Sequence, residues 1–268
     1  MAASAPSPAL PPHRPLLKWA GGKRWLTPRI AELWRGSGAS RLVEPMAGSL
    51  AVSLGIAPAR ALLNDRNSHV INFYEQVRDG LTLDRPMENE RESYYAARAE
   101  FNALVREGRD TTPAAAQLFY YLNRTGYNGL CRFNSRGEFN VPFGRYRTIT
   151  YARELAIHAE LFGRWEFHAG DFAALTVGPG DFIYADPPYD VPFTRYAKDD
   201  FTWDDQVRFA TWLAGHEGPV ALSNQATPRI VELYRELGFA IELLNGPRSI
   251  SCSGSRTPAP EVLATRGL

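Results

Sequence analysis

Two hydrophobic patterns alternate along this chain. Short apolar runs bounded by turn residues are typical of buried strands, and longer stretches with apolar residues every three or four positions predict amphipathic helices. The short runs predict strands at 41–45, 61–63, 165–168, 182–185, 219–222 and 239–244, and a further apolar run closes the chain at 261–264. The longer stretches predict helices at 25–35, 50–56, 67–79, 90–107, 113–124, 151–163, 204–215 and 227–237. Strands and helices therefore alternate in both outer parts of the chain, whereas the middle is helical.

This order of elements predicts an α/β fold with one insertion. Alternating strands and helices favour a parallel sheet flanked by helices, built here from two separate stretches of the chain. The inserted stretch contains three helices and then a hairpin pattern around residues 134–137. Residues 1–15 contain five prolines and no periodicity, as in a disordered tail. The predicted domains are a tail (1–15), a discontinuous sheet domain (16–66 and 151–268) and an inserted domain (67–150).

The tetrapeptide Asp186-Pro187-Pro188-Tyr189 follows the strand predicted at 182–185. Proline cannot donate to a β-ladder, so the strand ends there and leaves a carboxylate and a phenol at its carboxyl end. Ligands bind at the carboxyl ends of strands in open α/β sheets. An acid beside two rigid prolines and an aromatic ring suits a flat, hydrogen-bonding group such as a nucleobase. A strand that merely stops at a Pro-Pro turn, with Tyr189 in ordinary packing, fits the same four residues.

A glycine-containing turn upstream favours a nucleotide site. Gly48 lies between the strand predicted at 41–45 and the helix predicted at 50–56, which is the element order of nucleotide-binding folds. Asp65 ends the next strand about twenty residues after the turn begins, where an acid holds ribose hydroxyls. A helix cap or a turn would also use an aspartate at this position.

A second glycine turn follows the tail. Gly21 and Gly22 stand between Lys18 and Lys23, two of the three lysines in the chain, beside Trp19. A Gly-Gly pair lets a backbone approach a ligand closely. The concentration of lysine favours a binding role over the alternative, a plain turn with Trp19 packed in the core.

The segment 125–147 is both basic and aromatic. From Arg124 to Arg147 there are five arginines and one acid, Glu138, interleaved with Tyr and Phe residues. Basic and aromatic side chains on a hairpin-and-loop unit suit a nucleic-acid groove. A solvated surface hairpin with a small aromatic cluster is the alternative.

Composition narrows the class of protein. The 44% hydrophobic content is normal for a globular protein, and the net charge of +1 means that any basic surface is local. Two distant cysteines and five scattered histidines predict neither a disulfide framework nor a metal site. Because the start of the chain does not resemble a signal peptide and no apolar run is long enough to span a membrane, we expect a cytoplasmic protein.

Together these residues resemble the Dam family of DNA N6-adenine methyltransferases, which use S-adenosylmethionine (SAM). The resemblance runs from residue 16 to residue 264, nearly the whole chain. The motifs that carry it are Leu17-Lys18-Trp19-Ala20-Gly21-Gly22-Lys23, Val43-Glu44-Pro45 with Gly48, Arg124-Thr125-Gly126-Tyr127-Asn128-Gly129-Leu130, the run from Gly137 to Gly144, Asp186-Pro187-Pro188-Tyr189, Ser223-Asn224 and Arg248-Ser249-Ile250-Ser251. The tetrapeptide alone occurs in several groups of amino-methyltransferases, whereas the combination in this order is specific.

The resemblance implies a fold and an activity. The expected fold is a Rossmann-like sheet of a SAM-dependent methyltransferase with an inserted helical plus β-hairpin target-recognition domain. The expected reaction moves a methyl group from SAM, leaving S-adenosylhomocysteine, to N6 of an adenine flipped out of double-stranded DNA, in the sequence GATC. No metal is expected, and we expect a monomer without a membrane partner.

The resemblance also implies roles for individual residues. The catalytic residues are Asp186, Pro187 and Tyr189. The cofactor-binding residues are Trp19, Lys23, Glu44, Gly48, Asp65, Asp171 and Asp186. Base edges are assigned to Lys18, Leu130, Arg132, Pro142 and Tyr146, phosphates to Arg124, Arg136, Arg145 and Arg147, and a DNA contact to Asn128.

One motif departs from the family pattern. The family's glycine-rich loop usually reads Phe-x-Gly-x-Gly, whereas this chain has Met46-Ala47-Gly48-Ser49-Leu50.

Other functions remain open. An N4-cytosine or RNA amino-methyltransferase would share the tetrapeptide, and the inserted recognition segment argues against it. A catalytically silent DNA-binding module is a further alternative. A cytosine-C5 methyltransferase is unsupported, because neither Cys131 nor Cys252 follows a proline.

Overall fold

The computed structural model describes residues 14–190, 201–247 and 259–268. These residues form two compact units. One unit contains residues 14–20 and 68–163, and the other contains the described residues of 21–67 and 164–268.

The second unit is built on a seven-stranded sheet. Its strands are β1 (Arg41–Glu44), β2 (Ala61–Asp65), β3 (Trp165–Ala169), β4 (Asp181–Ala185), β5 (Val220–Gln225), β6 (Ala240–Gly246) and β7 (Ala259–Arg266). The spatial order is β3-β2-β1-β4-β5-β7-β6, and the neighbours among the first five strands are all parallel. The order 3-2-1-4-5 is that of a Rossmann sheet. β7 inserts between β5 and β6 and is antiparallel to both.

Four helices accompany this sheet: α1 (Thr27–Ser37), α2 (Ala51–Ile56), α7 (Trp203–Ala214) and α8 (Pro228–Glu236). β4 is buried along its whole length, as expected for a parallel strand covered on both faces. Ile183 of β4 belongs to a core cluster that also contains Phe209 of α7 and Ile230 of α8. On the α1 side, Trp34 packs edge-on against Phe182 with ring centroids 5.8 Å apart. This packing fixes the strand whose end carries the tetrapeptide.

The first unit is helical. Its helices are α3 (Ser68–Arg78), α4 (Arg91–Arg106), α5 (Pro113–Thr125) and α6 (Ala156–Phe162). Thr112 caps α5 by accepting from the backbone N–H of Ala115, and from residue 115 onward nearly every residue of α5 is buried. A helix that is apolar on all sides is the centre of a core. Tyr120 of α5 stacks on Phe73 of α3 with ring centroids 5.1 Å apart.

The hairpin expected around 134–137 is reduced to a tight turn. Phe133 and Phe139 form an isolated antiparallel bridge, and no strand continues from it within the described residues. The Asn134 side chain accepts from the backbone N–H groups of Arg136 and Glu138 at 2.9 Å and 3.0 Å. The backbone N–H groups of Asn134 and Asn140 donate to the carbonyls of Glu138 and Arg132 at 2.9 Å and 3.1 Å, so the two arms pair over only a few residues.

The predicted α/β fold class is confirmed, and each predicted helix and strand outside the hairpin occurs within a few residues of its expected bounds. The two units place residues 16–20 and 151–163 with the inserted stretch, and the assignment of domains to functions stays a prediction. Most of the predicted tail, residues 191–200 and the motif Arg248-Ser249-Ile250-Ser251 lie outside the described residues. No helix in the described ranges is long and apolar enough to cross a membrane.

A capping box opens α7. The Thr202 hydroxyl accepts from the Asp205 backbone N–H, and the Asp205 side chain accepts from the Thr202 backbone N–H. Thr202→Ala should lower the free energy of unfolding in urea by about 1 kcal/mol, because one helix N–H loses its acceptor. Thr211→Ala, at an exposed position inside α7, is the matched control and should leave stability unchanged or slightly raised. Equal losses in both variants would contradict the cap.

Candidate active site

The predicted catalytic residue lies where the strand order of the sheet reverses. β1 and β4 are neighbours in the sheet, and successive strands extend away from this pair in both directions. Open α/β sheets bind ligands at such a point, beyond the carboxyl ends of the strands. Glu44 ends β1 and Asp186 directly follows β4. The ends of these two neighbouring strands therefore each carry a carboxyl group at the point where the strand order reverses.

The Asp186 carboxylate is held through one of its two oxygens. Lys23 Nζ lies 2.7 Å from Asp186 Oδ1, and the Ser223 hydroxyl on β5 donates to the same atom at 2.9 Å. The other oxygen, Oδ2, has no hydrogen-bond partner among the described residues. Burial raises the pKa of Asp186, and the Lys23 ammonium and the Ser223 hydroxyl oppose that rise. The carboxylate is thus fixed in direction and keeps acceptor capacity.

Lys23 joins the carboxylate to the aromatic residue of the tetrapeptide. Its side chain is 3% exposed, and its ammonium contacts Asp186 Oδ1, the Tyr189 hydroxyl at 3.1 Å and the Gly21 carbonyl at 3.2 Å. These three acceptors match the three N–H donors of a lysine. Burial lowers the pKa of Lys23, but the negative charges of Asp186 and Glu261 outweigh it and set the pKa above its ordinary value. Lys23 is therefore a permanent cation at this site.

Tyr189 is held from two sides. Its hydroxyl accepts from Lys23 Nζ and donates to Glu261 Oε1 on β7. Burial raises the pKa of Tyr189, Lys23 opposes the rise, and the hydrogen bond to Glu261 adds to it. The ring is half-buried, and the Lys23 ammonium lies 4.7 Å from its centroid. Tyr189 thus stays a neutral phenol with a fixed ring.

The turn that contains Asp186 and Tyr189 is bound by side chains of the neighbouring helices α7 and α8. The buried Gln206 of α7 donates to the Pro188 carbonyl at 2.7 Å, and Asn224 of β5 donates to Gln206 Oε1 at 3.2 Å. Asp190, the next residue along, forms a two-pronged ion pair with Arg229 of α8. Pro187 itself is buried, and its carbonyl has no hydrogen-bond partner among the described residues.

Glu44 is a buried carboxyl group bound to the helix that follows β1. The backbone N–H of Ser53 donates to Glu44 Oε1 at 2.8 Å, and the Ser53 hydroxyl donates to the same oxygen. Burial raises the pKa of Glu44 to about 7; the two bonds from Ser53 oppose the rise and the charge of Asp186 adds to it. Glu44 therefore keeps its proton to a higher pH than an ordinary carboxyl group does.

The glycine turn between β1 and α2 is bound to the end of β2. Gly48 has φ +49° and donates its backbone N–H to Asp65 Oδ2 at 2.9 Å, while Asp65 Oδ1 accepts from the Asn67 N–H at 2.9 Å. Burial raises the pKa of Asp65 against these two bonds. A carboxylate has about four acceptor positions. Asp65 consequently has the turn role that the sequence analysis gave as an alternative. It also keeps acceptor capacity for a ligand hydroxyl.

Leu50 explains how the chain accommodates its departure from the family loop. It stands where the family pattern has its second glycine, and its backbone is left-handed, with φ +58° and ψ +29°. This conformation costs a residue with a Cβ roughly 1–2 kcal/mol. The Leu50 side chain is fully buried, and burying a leucine contributes a comparable 1.5–3 kcal/mol or so. The loop therefore keeps a glycine-like backbone with an apolar anchor.

Asp171, which follows β3, is engaged by an arginine. Arg208 of α7 donates to both of its oxygens, at 2.9 Å and 2.7 Å, and the guanidinium lies 4.2 Å from the Phe172 ring centroid. The hydrogen bonds from Arg208 lower the pKa of Asp171 to about 2. Asp171 thus stays ionised, and a ligand amine would share it with Arg208.

Among the residues predicted to bind DNA, Lys18 is the most constrained. Its ammonium donates to the Arg124 carbonyl at 2.8 Å and lies 3.6 Å from the centroid of the Tyr146 ring. The Asn123 side chain accepts from the Lys18 backbone N–H and donates to the Lys18 carbonyl, at 2.7 Å and 2.9 Å. Gly129 lies against the Lys18 side chain, so that a Cβ there would collide with it. Burial and the Arg124 charge lower the pKa of Lys18 to about 8.

Arg124 lies inside the first unit. It is 5% exposed, and its guanidinium donates to the backbone carbonyls of Leu16, at 3.1 Å, and Thr150. Burial lowers its pKa. A phosphate contact would require these bonds to open, and that role stays a prediction.

The other predicted DNA contacts lie along the segment 127–147. Arg132 donates to the Asn140 side chain at 2.7 Å, and the 79% exposed Arg136 side chain pairs with Glu138 at 3.1 Å. Pro142, Arg145 and Arg147 are exposed, Asn128, Leu130 and Tyr146 are partly buried, and Trp19 is partly buried in the same unit. Asn128 and Arg145 have left-handed backbones, with φ +53° and +50°. Their roles in DNA binding, and that of Trp19 at the cofactor, stay predictions.

Comparison with known proteins decides the family. The family model described as D12 class N6 adenine-specific DNA methyltransferase matches residues 19–250. The chain belongs to this family. The match contains both glycine turns, the inserted segment and the tetrapeptide, and the resemblance inferred from the motifs is confirmed.

Individual relatives are similar over most of the chain. A DNA N-6-adenine-methyltransferase of Escherichia phage P1 is 40% identical over an alignment 276 residues long, which covers 96% of this chain and 36% of that protein. The retron Ec67 DNA adenine methylase of Escherichia coli is 38% identical over 94% of this chain and 91% of its own. The DNA adenine methylase of Escherichia coli strain K12 is 37% identical over 94% of this chain and 95% of its own. The chain thus spans about a third of the phage P1 protein and nearly all of the other two.

Solved structures add no functional argument. A putative RNA methyltransferase from Pyrococcus horikoshii aligns with 90% of this chain and 80% of its own at a TM-score of 0.43 and 11% identity. The family match instead decides between the activities left open by the sequence. Its description names DNA and adenine N6, so this D12-class chain is an adenine-specific DNA methyltransferase, and the cytosine, RNA and silent alternatives are not supported.

Two groups at this D12-class site escaped the residue-by-residue prediction. Ser223 was placed in a motif without a role, and its hydroxyl binds Asp186. Glu261 was named only as part of the run that closes the chain, and it binds Tyr189. The available signal was the position of Glu261 as the acidic residue in an apolar closing run, since carboxylates are almost never buried without a partner.

Glu44 makes stability depend on pH. Its pKa is about 7 in the folded protein against an ordinary value of 4.5, so between these values the folded state holds a proton that the unfolded state has released. The stabilisation is full below pH 4.5 and is lost as the pH rises through 7. Glu44→Gln stays neutral, so its free energy of unfolding should rise relative to wild type by about 2 kcal/mol from pH 5 to pH 8.

Urea unfolding at several pH values measures this difference. Glu242→Gln, at an exposed position on β6, is the control and should show no trend with pH. A constant difference between Glu44→Gln and wild type would contradict the raised pKa.

Proposed function

We propose that this D12-class protein transfers a methyl group from SAM to N6 of an adenine flipped out of double-stranded DNA, in the sequence GATC. The observation that carries the proposal is the state of Asp186. Lys23 and Ser223 hold its Oδ1, whereas Oδ2 and the carbonyl of the next residue, Pro187, have no hydrogen-bond partner among the described residues. Two acceptors on one rigid turn match the two hydrogens of an exocyclic amine.

Asp186 acts on the amine as an acceptor. Adenine N6 is a poor nucleophile because its lone pair is delocalised into the ring. Hydrogen bonds from N6 to the Asp186 carboxylate and the Pro187 carbonyl favour a more pyramidal nitrogen with a more available lone pair. Fixing the amine in one direction also removes orientational freedom, which supplies several kcal/mol or so of the barrier. A strong base is not required, because the methylated amine loses its proton readily.

Tyr189 receives the base. Methyltransferases that act on a base inside a duplex extrude the nucleotide into a pocket. An aromatic ring stacked on the base contributes about 1–3 kcal/mol. The two hydrogen bonds of the Tyr189 hydroxyl hold its ring in place before DNA arrives.

The carboxyl ends of the parallel strands fit the methyl donor. Asp65 has acceptor positions for ribose hydroxyls, and the left-handed Gly48 gives the turn above β1 a backbone without a side chain. Glu44 and Lys23 add a carboxyl group and a cation at the same edge. When bound, SAM supplies a methyl group on a positively charged sulfonium. Asp171 reaches a ligand amine by sharing its oxygens with Arg208.

The first unit supplies candidate DNA contacts of two kinds. Lys18 and Arg132 are held by neighbouring groups, as suits side chains that read base edges. Arg145 and Arg147 are exposed, as suits phosphate contacts, which position a protein without specifying a sequence. The GATC target rests on the family resemblance of the recognition segment.

Protection of plasmid DNA tests the target sequence. The protein is incubated with SAM and plasmid, and the DNA is digested with nucleases that are blocked by, or require, adenine methylation at GATC. The proposal predicts that the blocked nuclease no longer cuts at GATC and that the nuclease which requires methylation does. Radiolabel from SAM entering duplexes without GATC as fast as duplexes with it would overturn the specificity.

Asp186→Asn should abolish methyl transfer while SAM binding partly survives. The variant keeps the shape but loses the anionic acceptor, and the rate constant should fall at least about 100-fold. Single-turnover transfer of labelled methyl measures the rate, and calorimetry measures SAM binding. Asp204→Asn, at an exposed position on α7, is the control and should retain wild-type rates. Comparable rates in the two variants would eliminate Asp186 as the acceptor.

Arg132→Ala and Arg147→Ala should weaken DNA binding in different ways. Loss of a base-edge contact should cost about 1–3 kcal/mol of discrimination at one base pair. Loss of a phosphate contact should weaken binding to all duplexes about equally. It should also reduce the slope of the logarithm of the binding constant against the logarithm of the salt concentration by about one. Binding curves on cognate and single-mismatch duplexes at several salt concentrations distinguish the two. The division is wrong if both variants lose the same affinity on every duplex.

A further inference from the structure

Glu261 is a carboxyl group inside a sheet. It is 6% exposed and lies opposite Gln225 of β5 and Leu244 of β6, in a run whose next three residues are buried and apolar. A carboxylate is costly to bury unless it is paired or hydrogen-bonded. Its partners are therefore informative about its function.

One of these partners is Tyr189, the aromatic residue of the tetrapeptide. The Tyr189 hydroxyl donates to Glu261 Oε1 and accepts from Lys23 Nζ at 3.1 Å. Hydrogen bonds from a hydroxyl to an ionised carboxylate are among the strong ones. With the hydroxyl fixed on both sides, the far end of the ring is held, and so are its plane and tilt.

A second observation shows that space is kept for Glu261. Gly246 of β6 is buried, and a Cβ at this position would lie 2.5 Å from Glu261 Cγ. The Gly246 backbone is not left-handed, so its conformation does not require glycine. Alanine would fit the backbone there but would displace the Glu261 side chain. Gly246 thus serves the placement of that side chain.

We infer that Glu261 is a positioning residue for methyl transfer, acting through Tyr189 by holding the ring against which the target adenine stacks. The inference rests on the proposed function, because the stacking partner is the adenine. Asp186 keeps both of its contacts, to Lys23 and Ser223, without Glu261. Loss of Glu261 should therefore slow transfer and leave SAM binding intact.

A double-mutant cycle tests the inference. Glu261→Gln, Tyr189→Phe and the double variant are compared with wild type for kcat and for the KM values of SAM and DNA. Glu261→Gln should lower kcat about tenfold and leave the KM for SAM within about twofold. In the Tyr189→Phe background, where the hydroxyl is gone, the same change should alter kcat by less than about twofold. An equal loss in both backgrounds, as a purely structural role would give, overturns the inference.

Further variants separate the remaining explanations. Gly246→Ala keeps the carboxyl group of Glu261 but displaces it. This variant should lower kcat when Tyr189 is present and have little effect in the Tyr189→Phe background. Glu242→Gln on β6 is the matched control and should keep wild-type kcat. A wild-type protein that methylates no DNA would overturn the proposed function and this inference together. An active wild type with an equally active Glu261→Gln variant would overturn this inference alone.

Discussion

The ion pair between Lys23 and Asp186 is the interaction on which the site depends. It joins a residue before α1 to the end of β4, with a side chain that is 3% exposed and a separation of 2.7 Å. Removing one partner of such a buried pair typically costs about 3–5 kcal/mol, because the other charge is left uncompensated. The pair also fixes which carboxylate oxygen is occupied. In the proposed mechanism, the role of Oδ2 as an acceptor thus follows from the packing of Lys23.

The same lysine connects the site to the rest of the sheet. Through the Tyr189 hydroxyl it reaches Glu261 on β7, and through Asp186 it reaches Ser223 on β5. The antiparallel β7 is what brings a carboxyl group beside the tetrapeptide, since it pairs directly with β5. The position of β7 in the sheet therefore contributes to the site as well as to the core.

The sequence was sufficient for elements whose signals are local. Apolar runs, prolines and turn glycines predicted the strands of the sheet and the position of Asp186, because strand ends share one edge. Contacts between distant segments left no local signal. The bond from Tyr189 to Glu261 depends on the insertion of β7 between β5 and β6, and the burial of Arg124 depends on carbonyls at Leu16 and Thr150.

The central claim is that a carboxylate fixed by Lys23 and Ser223 directs methylation to adenine N6. The most direct measurement is nucleoside analysis of duplex DNA after incubation with the protein and isotopically labelled SAM, by digestion and mass spectrometry. The account predicts that the label appears in N6-methyldeoxyadenosine and that it disappears with Asp186→Asn. Label in N4-methyldeoxycytidine, or undiminished label in that variant, would contradict it.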